Sequence, residues 1–178
     1  MSNHAIVLTN GLLAEPAAKT AHGLIRGSDR FVIRALVDHQ HAGKDAGEVL
    51  DGRKKNIPVY ASLQEALTHT GPVQYCIVGI APKGGQLPDE MRAVIMDSIR
   101  NGMHIVSGLH DFLSEKQDLQ VLAGEHHVSI IDVRKPKDRK DLHFWTGAIF
   151  EVSCPVVAVL GIETNLGKRT TTRLLRDS

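Results

Sequence analysis

Residues 73–106, VQYCIVGIAPKGGQLPDEMRAVIMDSIRNGMHIV, decide the fold. The stretch begins with an apolar run at 73–79 and ends with a second at 104–106, both of which have strand character. A helix pattern lies between them: Pro88 opens it, two acidic residues follow in the first turn, and Gly102 comes after the last turn. A strand, a helix and a second strand in this order predict a βαβ unit of a parallel sheet.

The same alternation extends in both directions from this unit. Further apolar runs with strand character occupy residues 5–9, 31–37, 128–133 and 156–160. Further helix patterns occupy residues 16–26, 62–67 and 114–124. The apolar runs are continuous, as expected for strands that helices cover on both faces. The sequence therefore predicts an α/β fold, a Rossmann-like parallel sheet with helices on both faces.

The domain organisation follows from length and local signals. The polar segment at 39–55 lacks a hydrophobic period and is predicted to be a long loop after the second strand. A length of 178 residues suits one complete domain and little more. A new apolar run begins after Cys154-Pro155, and the residue before a proline is pushed out of helical conformation. We therefore expect a Rossmann-like domain at 1–153 and the start of a second domain at 154–178.

Composition argues against several classes of function. The net charge is +1, with four Phe, one Trp and two Tyr, so neither charge nor stacking groups favour nucleic acid as a partner. The basic stretch at 134–140 is interrupted by Pro136 and Asp138 and is interpreted as a solvated loop. Two isolated cysteines indicate a reducing compartment. No apolar stretch approaches the roughly 18 residues needed to cross a bilayer, so we expect a cytoplasmic protein.

A phosphate-binding motif is predicted at 156–171, VVAVLGIETNLGKRTT. An apolar strand runs into a turn bounded by Gly161 and Gly167, and Lys168 then begins a helix pattern. Backbone N–H groups at such a turn point inward and wrap a polyphosphate, to which the lysine adds a positive charge. We predict nucleotide contacts from Gly161, Thr164, Asn165, Gly167, Lys168, Arg169, Thr170 and Thr171.

The motif departs from the common P-loop pattern in two respects. Five residues instead of four separate the two glycines, and Arg169 stands where a hydroxyl normally binds magnesium. Only ten residues follow Lys168, whereas a working nucleotide site needs further strands and an acidic partner for the metal. We therefore expect ATP with Mg²⁺ as the cofactor of the full-length protein, and this chain to be a truncated form without activity.

The turn after the first strand, TNGLLAE at 9–15, contains one glycine where a dinucleotide-binding turn has three. This motif does not support NAD binding. Asp38 nevertheless ends the second strand, where a carboxylate would bind ribose, although an aspartate there is also a common turn residue. The candidate substrate-binding residues in this region are Asn10, Gly11 and Asp38.

Two further loops follow strands at the edge where open α/β sheets bind ligands, APKGG at 81–85 and SGLHD at 107–111. The candidate catalytic residues, which can hold an anion or transfer a proton, are Lys83, His110 and Asp111. The candidate substrate-binding residues are Gly84, Gly85, Ser107 and Gly108. The alternative is that the glycines only permit tight turns and that His110 and Asp111 cap the next helix. The histidines show no metal-ligand spacing, so no structural metal is predicted.

Five motifs occur in order along the chain: KDAGEV at 44–49, GIAPKGG at 79–85, SGLHDFL at 107–113, DVRKP at 132–136 and GKRTT at 167–171. In these motifs the chain resembles the domain-of-unknown-function family 1611 over essentially its whole length. The resemblance implies a Rossmann-like N-terminal domain followed by a P-loop domain, whose Gly-Lys-x-Thr-Thr ending is similar to that of the ATP-using dethiobiotin synthetase group. It also implies N-acyl transfer to D-glutamate as an activity.

The sequence leaves three functions open. The leading hypothesis is the N-terminal part of a P-loop enzyme that acts on a small carboxylate or amino acid through N-acyl transfer or ATP-dependent activation. The first alternative is an NAD-dependent oxidoreductase or epimerase. The second is a non-enzymatic module that forms homo-oligomers through the strand at 156–160, because a strand without its sheet has unpaired backbone groups and an uncovered apolar face.

Overall fold

The computed structural model describes residues 3–163 and 167–178, apart from the side chain of Lys83. The chain divides into two compact units, Met1–Pro136 and Lys137–Ser178. The domain boundary that the sequence places between residues 153 and 154 stays a prediction.

The first unit is built on six parallel strands in the order β3-β2-β1-β4-β5-β6. The strands are β1 Asn3–Leu8, β2 Phe31–Val37, β3 Val59–Tyr60, β4 Tyr75–Val78, β5 His104–Ser107 and β6 Ile130–Asp132. The order reverses between β1 and β4, which places a topological switch point there. The predicted Rossmann-like α/β fold is confirmed. The sequence analysis did not predict β3, because a strand of two residues is too short to produce an apolar run.

Five α-helices connect these strands. They are α1 Lys19–Arg26, α2 Ala46–Asp51, α3 Leu63–Thr70, α4 Asp89–Arg100 and α5 Gln117–Glu125. Four consecutive residues of β1, numbers 5–8, are at most 2% exposed. Because successive side chains of a strand point to opposite faces, both faces of β1 are covered.

The helix ends follow the signals in the sequence. Ser62 caps α3 by accepting a hydrogen bond from the Glu65 amide, and the Glu65 carboxylate accepts one from Ala61. In α4, Met91, Ile95 and Ile99 are buried against the core at the four-residue spacing of one helix face.

The predicted loop at 39–55 is wrong in part, because α2 lies inside it. The Asp45 carboxylate accepts hydrogen bonds from the amides of Gly47 and Glu48 at the start of the helix, and from Lys55 and Ile57 after it. A six-residue helix is too short to display a hydrophobic period, so this local cap is what forms it.

Cys76 is fully buried in β4, within an apolar run of the sequence. Burial raises the pKa of this thiol to about 12, although a hydrogen bond with Ser98 acts in the opposite direction. The side chain therefore serves as a small apolar group.

The second unit contains two 3-10 turns, Arg139–Asp141 and Ala148–Glu151, and one further helix, α6 Lys168–Asp177. Residues 156–160 form no strand, so the predicted strand is wrong in this structure. A strand is stable only when a neighbour satisfies its backbone N–H and C=O groups, and the described part of this unit offers no partner strand. Among residues 3–163 and 167–178, no helix is long and apolar enough to span a membrane.

Candidate functional site

A cavity of about 440 Å³ lies at the carboxyl ends of β4, β5 and β6. It is lined by Ala81, Pro82, Gly84, Gly85, Gly108, Leu109, His110 and Arg134. The two loops that the sequence analysis selected therefore meet in one place, because parallel strands bring their carboxyl ends to the same edge of the sheet.

The loop after β4 depends on two consecutive glycines. Gly84 has φ +82° and Gly85 has φ +67°, a left-handed conformation that disfavours any residue with a Cβ. A Cβ built on Gly85 would also lie only 2.8 Å from Cδ2 of His110. The absence of a side chain at Gly85 is what lets the imidazole of His110 pack against the loop.

Hydrogen bonds tie the loop after β5 to the loop after β4. The amides of His110 and Asp111 both donate to the carbonyl oxygen of Gly85, at 3.2 Å each. Ser107 is fully buried, and its hydroxyl oxygen accepts a hydrogen bond of 3.2 Å from the amide of Leu109. These hydrogen bonds within the protein hold the wall that carries His110, and Ser107 supports that wall from beneath the surface.

Arg134 adds a cation to this cavity that the sequence analysis missed. Its Nε donates a 2.7 Å hydrogen bond to the carbonyl oxygen of Gly108. Residues 134–140 are exposed, in agreement with the predicted solvated loop, and Arg134 at the start of this stretch also borders the cavity. Its position in the sequence could have indicated this role, because Arg134 follows closely after β6, the third strand whose carboxyl end borders the cavity.

The carboxylate of Asp111 pairs with a lysine and not with His110. Its Oδ1 pairs with Nζ of Lys116 at 2.6 Å, and its side chain does not line the cavity. Asp132 caps the turn at 113–115 by accepting hydrogen bonds from the amides of Leu113 and Ser114. The alternative in which His110 and Asp111 cap the next helix is therefore wrong.

The carboxylate of Asp38 is fully buried and joins the loops after β1 and β2. Its Oδ2 accepts from Thr9 Oγ1 at 2.7 Å and from the Leu13 amide at 3.0 Å. Its Oδ1 accepts from Nδ1 of His41 at 2.8 Å and from the amides of Gln40 and His41. Burial favours the neutral acid, but the hydrogen bonds from Thr9, His41 and Leu13 outweigh it and lower the pKa of Asp38.

This arrangement occupies the position where a dinucleotide-binding domain holds ribose. A direct contact between Asp38 and a ligand would require its five hydrogen bonds to rearrange. A Cβ on Gly11 would lie 2.7 Å from Cε1 of His39, so the imidazole ring fills the space beside that turn. Asn10 reaches across to α4, where its Nδ2 donates to Glu90 Oε2 at 3.4 Å. None of Asn10, Gly11 and Asp38 lines the 440 Å³ cavity, and their role in substrate binding stays a prediction.

The amides of the first strand-to-helix turn are also engaged within the protein. Leu12, Glu15 and Ala18 donate to carbonyl groups of the same turn, and Pro16 has no N–H to offer. The Ala21 amide of α1 donates to the Gly79 carbonyl at 2.9 Å. These amides are therefore not free to bind a pyrophosphate group.

In the second unit, the predicted phosphate-binding motif is described only in part. Gly167 has φ +79° and directly precedes α6, which begins at Lys168 and contains Arg169, Thr170 and Thr171. Nζ of Lys168 donates to the carbonyl oxygen of Glu163. Gly161 is exposed, whereas Thr164 and Asn165 lie outside the described residues, as does the side chain of Lys83. Within the described part of the chain, no group of three His, Cys, Asp or Glu side chains could hold a metal ion.

The fold and the cavity together define the class: a Rossmann-like α/β protein with a candidate ligand cavity at the carboxyl edge of its sheet. DUF1611_N, a domain of unknown function described as a Rossmann-like domain, matches residues 39–136. The chain belongs to this family.

Two curated relatives share a name. The chain is 33% identical over 95 residues to a D-glutamate N-acetyltransferase from Pseudoalteromonas sp, across 53% of this chain and 27% of that protein. It is 32% identical over 60 residues to a D-glutamate N-acetyltransferase from Tritonibacter scottomollicae, across 34% of this chain and 18% of that protein.

One solved structure is similar over almost the whole chain. The crystal structure of a DUF1611 family protein from Anabaena variabilis superposes with a TM-score of 0.85 at 30% identity. The match covers 98% of this chain and 49% of that protein. The chain thus spans about half of the length of this solved relative, and its matches cover a smaller share of the two curated relatives.

Proposed function

We propose that the chain contributes the Rossmann-like domain of an enzyme that transfers an acyl group to the amino group of a small amino acid, with D-glutamate as the first substrate to test. The observation that carries the proposal is the cavity in which His110 and Arg134 both border one 440 Å³ space. The name that the two curated relatives share, D-glutamate N-acetyltransferase, supports it.

The cavity offers the groups that this chemistry needs. The substrate ammonium must first lose a proton, for which His110 is the candidate base. The nitrogen lone pair then attacks the carbonyl carbon of an activated acyl donor such as a thioester, so that a C–N bond forms and the C–S bond breaks. A second proton lost by the nitrogen protonates the departing thiolate. Arg134 supplies a positive charge for a substrate carboxylate.

The direct test is an acyl-transfer assay with the full-length protein that contains this domain, D-glutamate and an acetyl thioester, in which N-acetyl-D-glutamate is detected by mass spectrometry. We expect His110→Gln to reduce the rate about 100-fold or more, because general-base catalysis contributes roughly that factor. The matched control is His69→Gln, since His69 stacks on Tyr60 at the surface of α3. An unmodified protein that forms no product, or a His110 variant as active as the His69 variant, would count against the proposal.

A phosphate-binding role for residues 161–171 is a second proposal. It is favoured by the start of α6 at Lys168 directly after the left-handed Gly167, the arrangement that a P-loop has. ATP with Mg²⁺ would then activate a substrate carboxylate, with release of ADP. Titration with Mg²⁺-ATP tests this, with Lys168→Ala expected to abolish binding and Arg176→Ala, at the far end of α6, expected to retain it.

The NAD-dependent alternative has less support. The engaged amides around residues 12–21 and the buried Asp38 both oppose binding of a dinucleotide at the first turn. A fluorescence titration with NADH tests this alternative, and saturable binding would reinstate it.

The homo-oligomer alternative rests on exposed apolar groups in the second unit. Val156, Val157 and Leu160 are 73%, 75% and 87% exposed. Light scattering during size-exclusion chromatography tests this alternative, and a strictly monomeric chain would contradict it.

A further inference from the structure

The guanidinium group of Arg134 is exposed and is held by a hydrogen bond, but no acidic side chain among the described residues neutralises it. Its Nε donates to the carbonyl oxygen of Gly108 at 2.7 Å, and this bond holds the plane of the group at the cavity wall. No described residue accepts a hydrogen bond from either of its terminal nitrogens, and no described carboxylate lies within ion-pair distance of it.

The neighbouring cations differ from Arg134 in this respect. Lys135 pairs with Glu115 at 3.0 Å and also contacts the hydroxyl of Ser114. Lys116 pairs with Asp111 at 2.6 Å. Both lysines therefore have their charge compensated by an acidic neighbour, and neither lines the cavity. Asp132 is the acidic residue nearest to Arg134 in the sequence. Its two carboxylate oxygens accept hydrogen bonds from the amides of Leu113 and Ser114.

A planar carboxylate is the ligand that this geometry suits. With Nε engaged by Gly108, the two terminal nitrogens present parallel N–H groups that match both oxygens of a carboxylate. The cavity around them is bordered by glycine backbone at Gly84, Gly85 and Gly108, so that a small ligand can approach closely.

We infer that Arg134 is the residue that recognises a carboxylate of the substrate, and that it selects acidic amino acids over their amides. This inference rests on the proposed function, because it names the substrate class of the same cavity. It concerns binding alone and makes no claim about which group transfers the proton.

Binding by the full chain is measured with D-glutamate, with D-glutamine and D-isoglutamine, each of which lacks one of the two carboxylates, and with glutarate, which lacks the amino group. We expect at least one of the two amides to bind about 10-fold to 100-fold more weakly than D-glutamate, the range of a charge-assisted hydrogen bond. In Arg134→Gln this discrimination is expected to vanish. Arg134→Lys is expected to restore it only in part, because an ammonium cannot form the bidentate pair.

The matched controls are Lys135→Gln, which removes a neighbouring positive charge outside the cavity, and Arg100→Gln, which removes an arginine paired with Asp97 at the end of α4. Both are expected to bind all four probes as the unmodified chain does. NMR of the arginine side chains provides a second readout, since the Nε–H signal of Arg134 is expected to shift when glutarate binds.

The results separate this inference from the proposed function. Arg134-dependent binding of glutarate without formation of N-acetyl-D-glutamate would support the inference and contradict the acyl transfer. Formation of product with equal affinity for D-glutamate and both amides would contradict the inference alone. Binding of inorganic phosphate with no binding of any carboxylate probe would overturn the inference.

Discussion

Nδ1 of His41 donates a 2.8 Å hydrogen bond to Oδ1 of Asp38, and the carboxylate that receives it has no solvent-exposed surface. Through the other oxygen of the same carboxylate, the loop after β2 is joined to Thr9 and Leu13 in the loop after β1. Two loops at the carboxyl edge of the sheet are therefore held by a single buried charge, and the geometry of that edge depends on it.

Asp38→Asn is expected to destabilise the protein by about 2–4 kcal/mol, because an amide cannot accept all five hydrogen bonds and its NH₂ group faces donors. Urea unfolding followed by circular dichroism measures this. Asp97→Asn serves as the control, since Asp97 is exposed and pairs only with Arg100 three residues later. A shift in Asp38→Asn no larger than that of the control would mean that the carboxylate does not organise the loops.

Stability is expected to decrease as the pH is lowered through the acidic range. The pKa of Asp38 is lowered by hydrogen bonds that outweigh the effect of burial. The pKa of Asp45 is lowered in the same way, by the amides of Lys55, Ile57, Glu48 and Gly47. Their contribution is present above the unfolded-state pKa of about 3.9 and is lost as the pH falls through the folded-state values.

Urea midpoints measured between pH 7 and pH 2 check this direction. Asp38→Asn should show a smaller loss of stability over the same interval, because one of the responsible carboxylates is gone. A variant curve parallel to that of the unmodified chain would contradict the assignment to Asp38.

Gly85→Ala is expected to lower stability by about 1–2 kcal/mol, because the left-handed φ of +67° is strained for any residue with a Cβ. The new methyl group would also displace His110, whose Cδ2 lies 2.8 Å from the Cβ position. Thermal unfolding measures the first effect, and loss of D-glutamate binding measures the second. Gly124→Ala is the control: it lies in α5 with no atom near its Cβ position, so stability should rise by about 0.5–1 kcal/mol.

The two thiols are expected to react very differently. Cys76 is buried with a pKa of about 12, whereas Cys154 is exposed. Because the thiolate is the reactive form, a disulfide reagent should modify one thiol per folded chain and the second only after unfolding. Cys154→Ser should abolish the fast reaction, and fast modification of that variant would contradict the buried position of Cys76.

The sequence by itself determined the sheet and much of the cavity. Predominantly apolar runs identified β1, β2, β4, β5 and β6, because strands that helices cover on both faces are rich in apolar residues. The sequence also predicted Gly84, Gly108 and His110 as site residues, because they follow strands and the carboxyl ends of parallel strands share one edge of the sheet. Both inferences use local pattern plus a general rule, and neither needs the strand order.

The tertiary structure decided those features of the fold and of the cavity that depend on contacts between residues distant in the sequence. Helix α2 forms because Asp45 caps it and also reaches the amides of Lys55 and Ile57, which no local period reveals. Residues 156–160 have the composition of a strand, but no strand pairs with them in the described part of their unit. Arg134 belongs to the cavity because the order β4-β5-β6 brings it to the carbonyl of Gly108, 26 residues earlier. Composition specifies what a segment can become, whereas the partners of its hydrogen bonds, supplied by the folded chain, specify what it does become.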